Sequence, residues 1–151
     1  MSTPAQRLAG LGLELPPVAA PVAAYQPAVR VGNQVMTSGQ LPFSGGALLH
    51  TGKVGAEVSA EDAQHCARIA GLNALAAAAA AAGGLDRIAS IVKLVVFVAS
   101  EPSFTGQPQV ANGASELMQQ VFGSQHARSA VGVSVLPLDA PVEVELIAEL
   151  A

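Results

Sequence analysis

SIVKLVVFVAS, residues 90–100, decides the fold. The run is β-branched and almost wholly apolar, and neither Gly nor Pro breaks it, so it reads as a strand covered on both faces. Alternation would turn Val92, Leu94, Val96 and Val98 toward one layer, and Val95, Phe97 and Ala99 toward the other. A sheet built around such a strand needs cover on both sides.

Upstream, SAED (59–62) has the form of a capping box, with Ser59 at the N-cap, Asp62 at N3, and Glu61 and Asp62 at the positive end of the helix dipole. The helix it opens runs through an alanine stretch to Gly83-Gly84, about six turns. Cys66, Ile69, Asn73 and Ala77 fall near one face, and the small side chains allow close approach to a sheet. Downstream, EPSFTGQPQ is a loop and VANGASELMQQVFG (110–123) a second helix, weakened by Gly113. Near the start, AVRVGNQVMTSGQL (28–41) reads as a hairpin turning at Gly32-Asn33, and the Gly-rich stretch 42–58 as a long loop with one short strand. At the end, strands starting near Arg128 and Val142 are joined by LPLDAP. The order β-β-α-β-α-β-β is an α+β fold, a mixed sheet with two helices on one face. The other face then calls for a second copy of the chain in a symmetric homo-oligomer.

With 151 residues the chain is one domain, long enough to bury roughly 70% of its unfolded surface. Residues 1–24 read as a loosely structured lead-in, whose VAA repeats resemble a signal-peptidase site but whose apolar patch Glu14 and Pro16-Pro17 interrupt, and 25–151 as the domain. The apolar stretch Ala74–Ala82 is nine residues, far short of the roughly 20 that cross a bilayer. Seven scattered basic residues and a net charge of −4 argue against a nucleic-acid partner. A single cysteine, Cys66, fits a reducing cytoplasm and reads as a small core residue. His50, His65 and His126 lack metal-ligand spacing, so no metal and no other cofactor is expected.

Parity in the last two strands sorts their side chains. Val142, Val144, Leu146, Ala148 and Leu150 form one apolar set, with Glu143, Glu145, Ile147 and Glu149 on the reverse. Arg128 shares its face with Ala130, Gly132 and Ser134, small residues that leave room for a ligand. These charges are expected on the face the helices leave open. A hairpin centred near Leu138 would put Arg128 opposite Glu149 and Glu143 near Ser134, so Arg128 and Glu143 need not touch within one chain, and a site between subunits could bring them together.

VMTSGQLPF, VKLVVFVAS and ARSAVGVSVLPLDAPVEVELIA together resemble the Rid family, also called YjgF or L-PSP endoribonuclease-like, over most of the chain from Tyr25 to Leu150. The resemblance implies a chorismate-mutase-like fold and a homotrimer with ligand clefts between subunits. In the deaminating members an arginine matching Arg128 holds the substrate carboxylate, and a glutamate matching Glu143 holds the attacking water. Tyr25, Ser38 and Gly39 would line the cleft. Ala130 stands where those members have cysteine, though its backbone N–H can still serve a carboxylate. Their helix asparagine aligns with Ala111, and a one-residue shift brings in Asn112. The implied activity is hydrolysis of 2-aminoacrylate-type enamines and imines to 2-keto acids and ammonia. A non-catalytic keto-acid binder and an endoribonuclease are the alternatives.

Overall fold

The computed structural model describes residues 1–18 and 24–151. Its elements are α1 (Pro4–Gly10), β1 (Ala28–Val31), β2 (Gln34–Thr37), β3 (Phe43–Ser44), β4 (Ala47–Leu48), α2 (Ala60–Ala82), β5 (Ile88–Ala99), α3 (Gln107–Phe122), β6 (Ala127–Val133) and β7 (Val142–Leu150). Ser59 caps α2 as its sequence requires, accepting from the Asp62 N–H at 3.1 Å, and Gly83 ends it in the left-handed region at φ 88°. Ala63, Ala67, Ala70, Ala74 and Ala78 are wholly buried in the core, so the alanine run serves close packing as well as helix propensity. The α3 helix starts three residues before the expected position, with Pro108 in its first turn. Gly113 has a packing role there, since a Cβ would lie 1.9 Å from the Gln64 carbonyl oxygen on α2.

The five-stranded sheet has the order β1-β2-β7-β5-β6, with β6 parallel to β5 and every other pair antiparallel. This overturns the expected hairpin between the last two strands. The apolar strand β5 stands between them, taking β7 on one edge and β6 on the other. The connection passes the end of β5, where the Ala99 N–H donates to the Pro141 carbonyl (2.9 Å) and the Ser100 N–H to the Val133 carbonyl (3.2 Å). Leu138 and Asp139 turn it with positive φ of 58° and 57°.

In β5 the expected inward set is also partly revised. Leu94, Val96 and Val98 are buried, but Val92 is exposed, because the register slips from Ile91↔Ala148 to Lys93↔Ile147. Two β5 residues there span one step of β7, a bulge that resets the alternation. The apolar set on β7 is buried as parity requires.

Two further segments differ from the sequence reading. The stretch 42–58 holds two short strands, β3 and β4, closing a hairpin on Gly45 and Gly46 at φ 63° and 84°. The lead-in carries α1, capped by Thr3 and Gln6, and it buries Leu8 at 3% exposure. Residues 19–23, with most of the VAA repeats, lie outside the described residues.

Both α2 and α3 cover one face of the sheet. The opposite face carries Val29, Met36, Phe97, Val131 and Ile147, none of them buried, with Val29 at 49% and Val131 at 44% exposure. These residues make an apolar patch on the face that the helices leave uncovered.

Candidate functional site

Arg128 lies on β6, the edge strand. In the parallel pairing it stands beside Leu94, Ala130 beside Val96, and Gly132 beside Val98. Registered neighbours share a face, so these three residues look toward the helices. The expected position of Arg128 on the open face is therefore corrected, and the cause is the parallel register. From there Nη1 donates to Asn112 Oδ1 at 2.7 Å and to Ser115 Oγ at 3.2 Å, while the side chain as a whole is exposed. Ala111 is wholly buried, so of the two aligned positions 111 and 112 it is Asn112 that meets the guanidinium.

Farther along this face Gly132 packs against α3. A Cβ on Gly132 would come within 2.9 Å of both Gln107 Nε2 and Ser100 Oγ. Gly132 thus allows close approach of both side chains, and it borders a cleft of about 590 Å³ lined also by Ser100, Phe104 and Gln107.

Glu143 pairs with Phe97 on the opposite face. Its carboxyl lies over Gly39, where a Cβ would stand 2.6 Å from Cδ and 2.8 Å from Oε1. Reciprocal backbone bonds between Gln40 and Val144, at 2.8 and 2.9 Å, hold the 38–40 segment in that place. Ser38 ties in the preceding segment, its hydroxyl donating to the Gln26 carbonyl at 2.6 Å, with Tyr25 alongside at 53% exposure. Burial pushes the Glu143 pKa above the usual carboxylate value, and the negative charge of Glu145 adds to the shift. A raised pKa makes a stronger base once ionised.

The structure thus gathers the sequence-derived residues into two groups. Tyr25, Ser38, Gly39 and Glu143 form one, and Arg128, Asn112 and Ala130 the other. Within one chain the two groups occupy opposite faces of the sheet. Sequence reasoning missed Ser115 and His126. His126 Nε2 lies 2.9 Å from Ser115 Oγ, and its Nδ1 is buried without a partner. Burial, and then the charge of Arg128, lowers the His126 pKa. The available signal was spacing: Ser115 is one helical turn from Asn112.

Among the described residues no helix is long and apolar enough to cross a membrane, and no three His, Cys, Asp or Glu side chains are placed to hold a metal ion. The family model described as "YjgF/chorismate_mutase-like, putative endoribonuclease" matches residues 5–150. This chain belongs to the YjgF, or Rid, family. Protein TCP17 of Trypanosoma cruzi is 46% identical over 149 residues, covering 97% of this chain and 93% of that protein. The 2-iminobutanoate/2-iminopropanoate deaminase of Escherichia coli K12 is 34% identical over 134 residues, covering 85% of this chain and 89% of the relative. The crystal structure of Atu1372 from Agrobacterium tumefaciens, a protein of unknown function, superposes with a TM-score of 0.89 at 42% identity, covering 96% of this chain and 91% of that one. The expected YjgF α+β fold is the one observed.

Proposed function

We propose that this protein hydrolyses small carboxylate-bearing enamines and imines of the 2-aminoacrylate type to 2-keto acids and ammonia. The observation that carries the reading is a half-committed guanidinium. Arg128 is fixed through Nη1 to Asn112 and Ser115, yet its side chain is exposed on a strand face of small residues. A planar fork fixed on one side and open on the other suits a carboxylate, which takes two parallel hydrogen bonds from it. The name of the 34%-identical relative, an iminobutanoate/iminopropanoate deaminase, supports the same chemistry.

Opposite sheet faces separate Arg128 from Glu143 in one chain, so the reaction calls for a second protomer. The outer strand β6 and the open apolar face favour a homotrimer in which the edge of one protomer meets the face of the next. Each crevice would join Arg128, Asn112 and Ala130 of one protomer to Tyr25, Ser38, Gly39 and Glu143 of its neighbour. In the crevice Glu143 takes a proton from water as the oxygen attacks the imine carbon, and the C=N electron pair moves to nitrogen, which receives that proton from Glu143. The carbinolamine then collapses: Glu143 takes the hydroxyl proton as C=O forms, the C–N bond breaks, and ammonia leaves with the proton Glu143 returns. General-base assistance of this kind contributes roughly 10² to 10⁴-fold. A single cysteine, Cys66, which has no second cysteine in the chain to pair with, suits a cytoplasmic setting.

RNA cleavage, the activity in the family description, needs phosphate contacts that a net charge of −4 disfavours. The deciding experiment follows ammonia release from freshly generated 2-aminoacrylate. The wild type should accelerate it, and Arg128→Ala should abolish the acceleration without dissociating the trimer. Saturable keto-acid binding with no acceleration would make the protein a binder, and wild-type turnover by Arg128→Ala would remove the mechanism.

A further inference from the structure

Ser115 stands at the centre of a polar cluster that the mechanism above leaves unused. Its Oγ is 3.2 Å from Arg128 Nη1 and 2.9 Å from His126 Nε2. A serine hydroxyl offers one proton and two lone pairs. The guanidinium can only donate, so Arg128 occupies one lone pair. His126 decides the rest. Its Nδ1 is buried and meets no partner, so a proton there would be a buried N–H without an acceptor, an arrangement that folded proteins avoid. A bare Nδ1 lone pair is the less costly orphan, and on that ground the ring proton is assigned to Nε2, which donates to Ser115. Both lone pairs of the hydroxyl are then filled. Its own proton has no acceptor among the described residues, because these two contacts are the hydrogen bonds Ser115 Oγ makes.

We propose that Ser115 is a second carboxylate-binding residue, its O–H donating to the ligand oxygen that Arg128 holds, with His126 as the positioning residue that aims it. The proposal rests on the carboxylate-binding role proposed above for Arg128. A ligand carboxylate on the exposed part of the guanidinium lies beside the atom already bonded to Ser115, so one oxygen falls within reach of the hydroxyl. With two donors filling its lone pairs, the O–H points away from both, and an O–H to carboxylate bond is charge-assisted. Tethering Arg128 needs no help from Ser115, because Asn112 already accepts the shorter 2.7 Å bond. Without His126 the hydroxyl would be free to turn and give its proton elsewhere in the cluster.

The test is pyruvate affinity by calorimetry on the assembled full-length protein. Ser115→Ala should raise the Kd about tenfold or more, the loss of one charge-assisted hydrogen bond. Ser115→Thr keeps the hydroxyl and should stay within about threefold of the wild type. His126→Leu should weaken binding by roughly threefold, and His126→Gln, whose amide N–H can replace Nε2–H, should recover most of that loss. Arg128→Ala separates the two readings. If Arg128→Ala weakens pyruvate and Ser115→Ala binds it within about twofold of the wild type, the role of Ser115 is wrong and that of Arg128 stands. If Arg128→Ala itself binds like the wild type, the carboxylate site fails and this inference fails with it. Equal losses in Ser115→Ala and Ser115→Thr would also overturn the inference, since the hydroxyl would then not be the group that matters.

Discussion

Gly39→Ala offers a direct probe of Glu143. The backbone of Gly39 is not in the left-handed region, so alanine brings no conformational strain there. What it brings is a methyl group 2.6 Å from Glu143 Cδ, where ordinary contact begins near 3.4 Å. The carboxyl must retreat by about 0.8 Å, and as the end of a flexible side chain it can do so at a stability cost under about 1 kcal/mol. Turnover is far less tolerant, because a displacement of that size in a positioned base costs on the order of 10²-fold. The expected outcome is a kcat for 2-aminoacrylate hydrolysis lowered by about 10 to 100-fold, with a melting temperature within about 3 °C of the wild type. Thermal melts by circular dichroism and an ammonia-release assay read the two effects separately. Wild-type kcat in a folded Gly39→Ala protein would refute the assignment of Glu143 as the base.

Three further predictions concern other parts of the molecule. Gly113→Ala drives a Cβ to 1.9 Å from the Gln64 backbone oxygen, which cannot swing aside, so the variant should lose at least about 3 kcal/mol and melt roughly 6 to 12 °C lower; a drop under about 2 °C would contradict the packing account. Glu143 works ionised, and burial followed by Glu145 raises its pKa, so activity should fall as the pH drops through a value above the ordinary glutamate range. This acid limb belongs to the kcat profile, where bound substrate neutralises Arg128, and Glu143→Gln should erase it. Burial, with Asp62 second, pushes the Cys66 thiol up to about 11, so iodoacetamide at pH 8 should leave native protein unlabelled yet alkylate it in guanidinium. Rapid native labelling would show that α2 opens or that the burial is wrong.

What the sequence made legible is what depends on neighbouring residues. Ser59 and Gly83 mark the ends of α2 through local capping, and the alternation of β7 assigns its buried face without knowledge of any partner. Strand order depends on distant pairing, and there the reading erred. A linker around Pro137 looked like a hairpin turn, but the two strands it joins flank β5 instead. The bulge near Val92 leaves no local mark, and it decides which residues of β5 reach the core. The face of Arg128 follows from its register with Leu94, a tertiary fact. Asn112 was within reach of sequence comparison, whereas Ser115 and His126 converge only once α3 lies beside β6.

The account turns on one composite site, with Arg128 from one protomer and Glu143 from the next. Mixing Arg128→Ala and Glu143→Gln proteins, each with at most residual turnover alone, and letting subunits exchange tests this most directly. Random reassortment in a cyclic trimer restores an intact pair at about one boundary in four. The account predicts recovery of about a quarter of wild-type ammonia release, and mixed trimers verified by differential tags that stay inactive would contradict it.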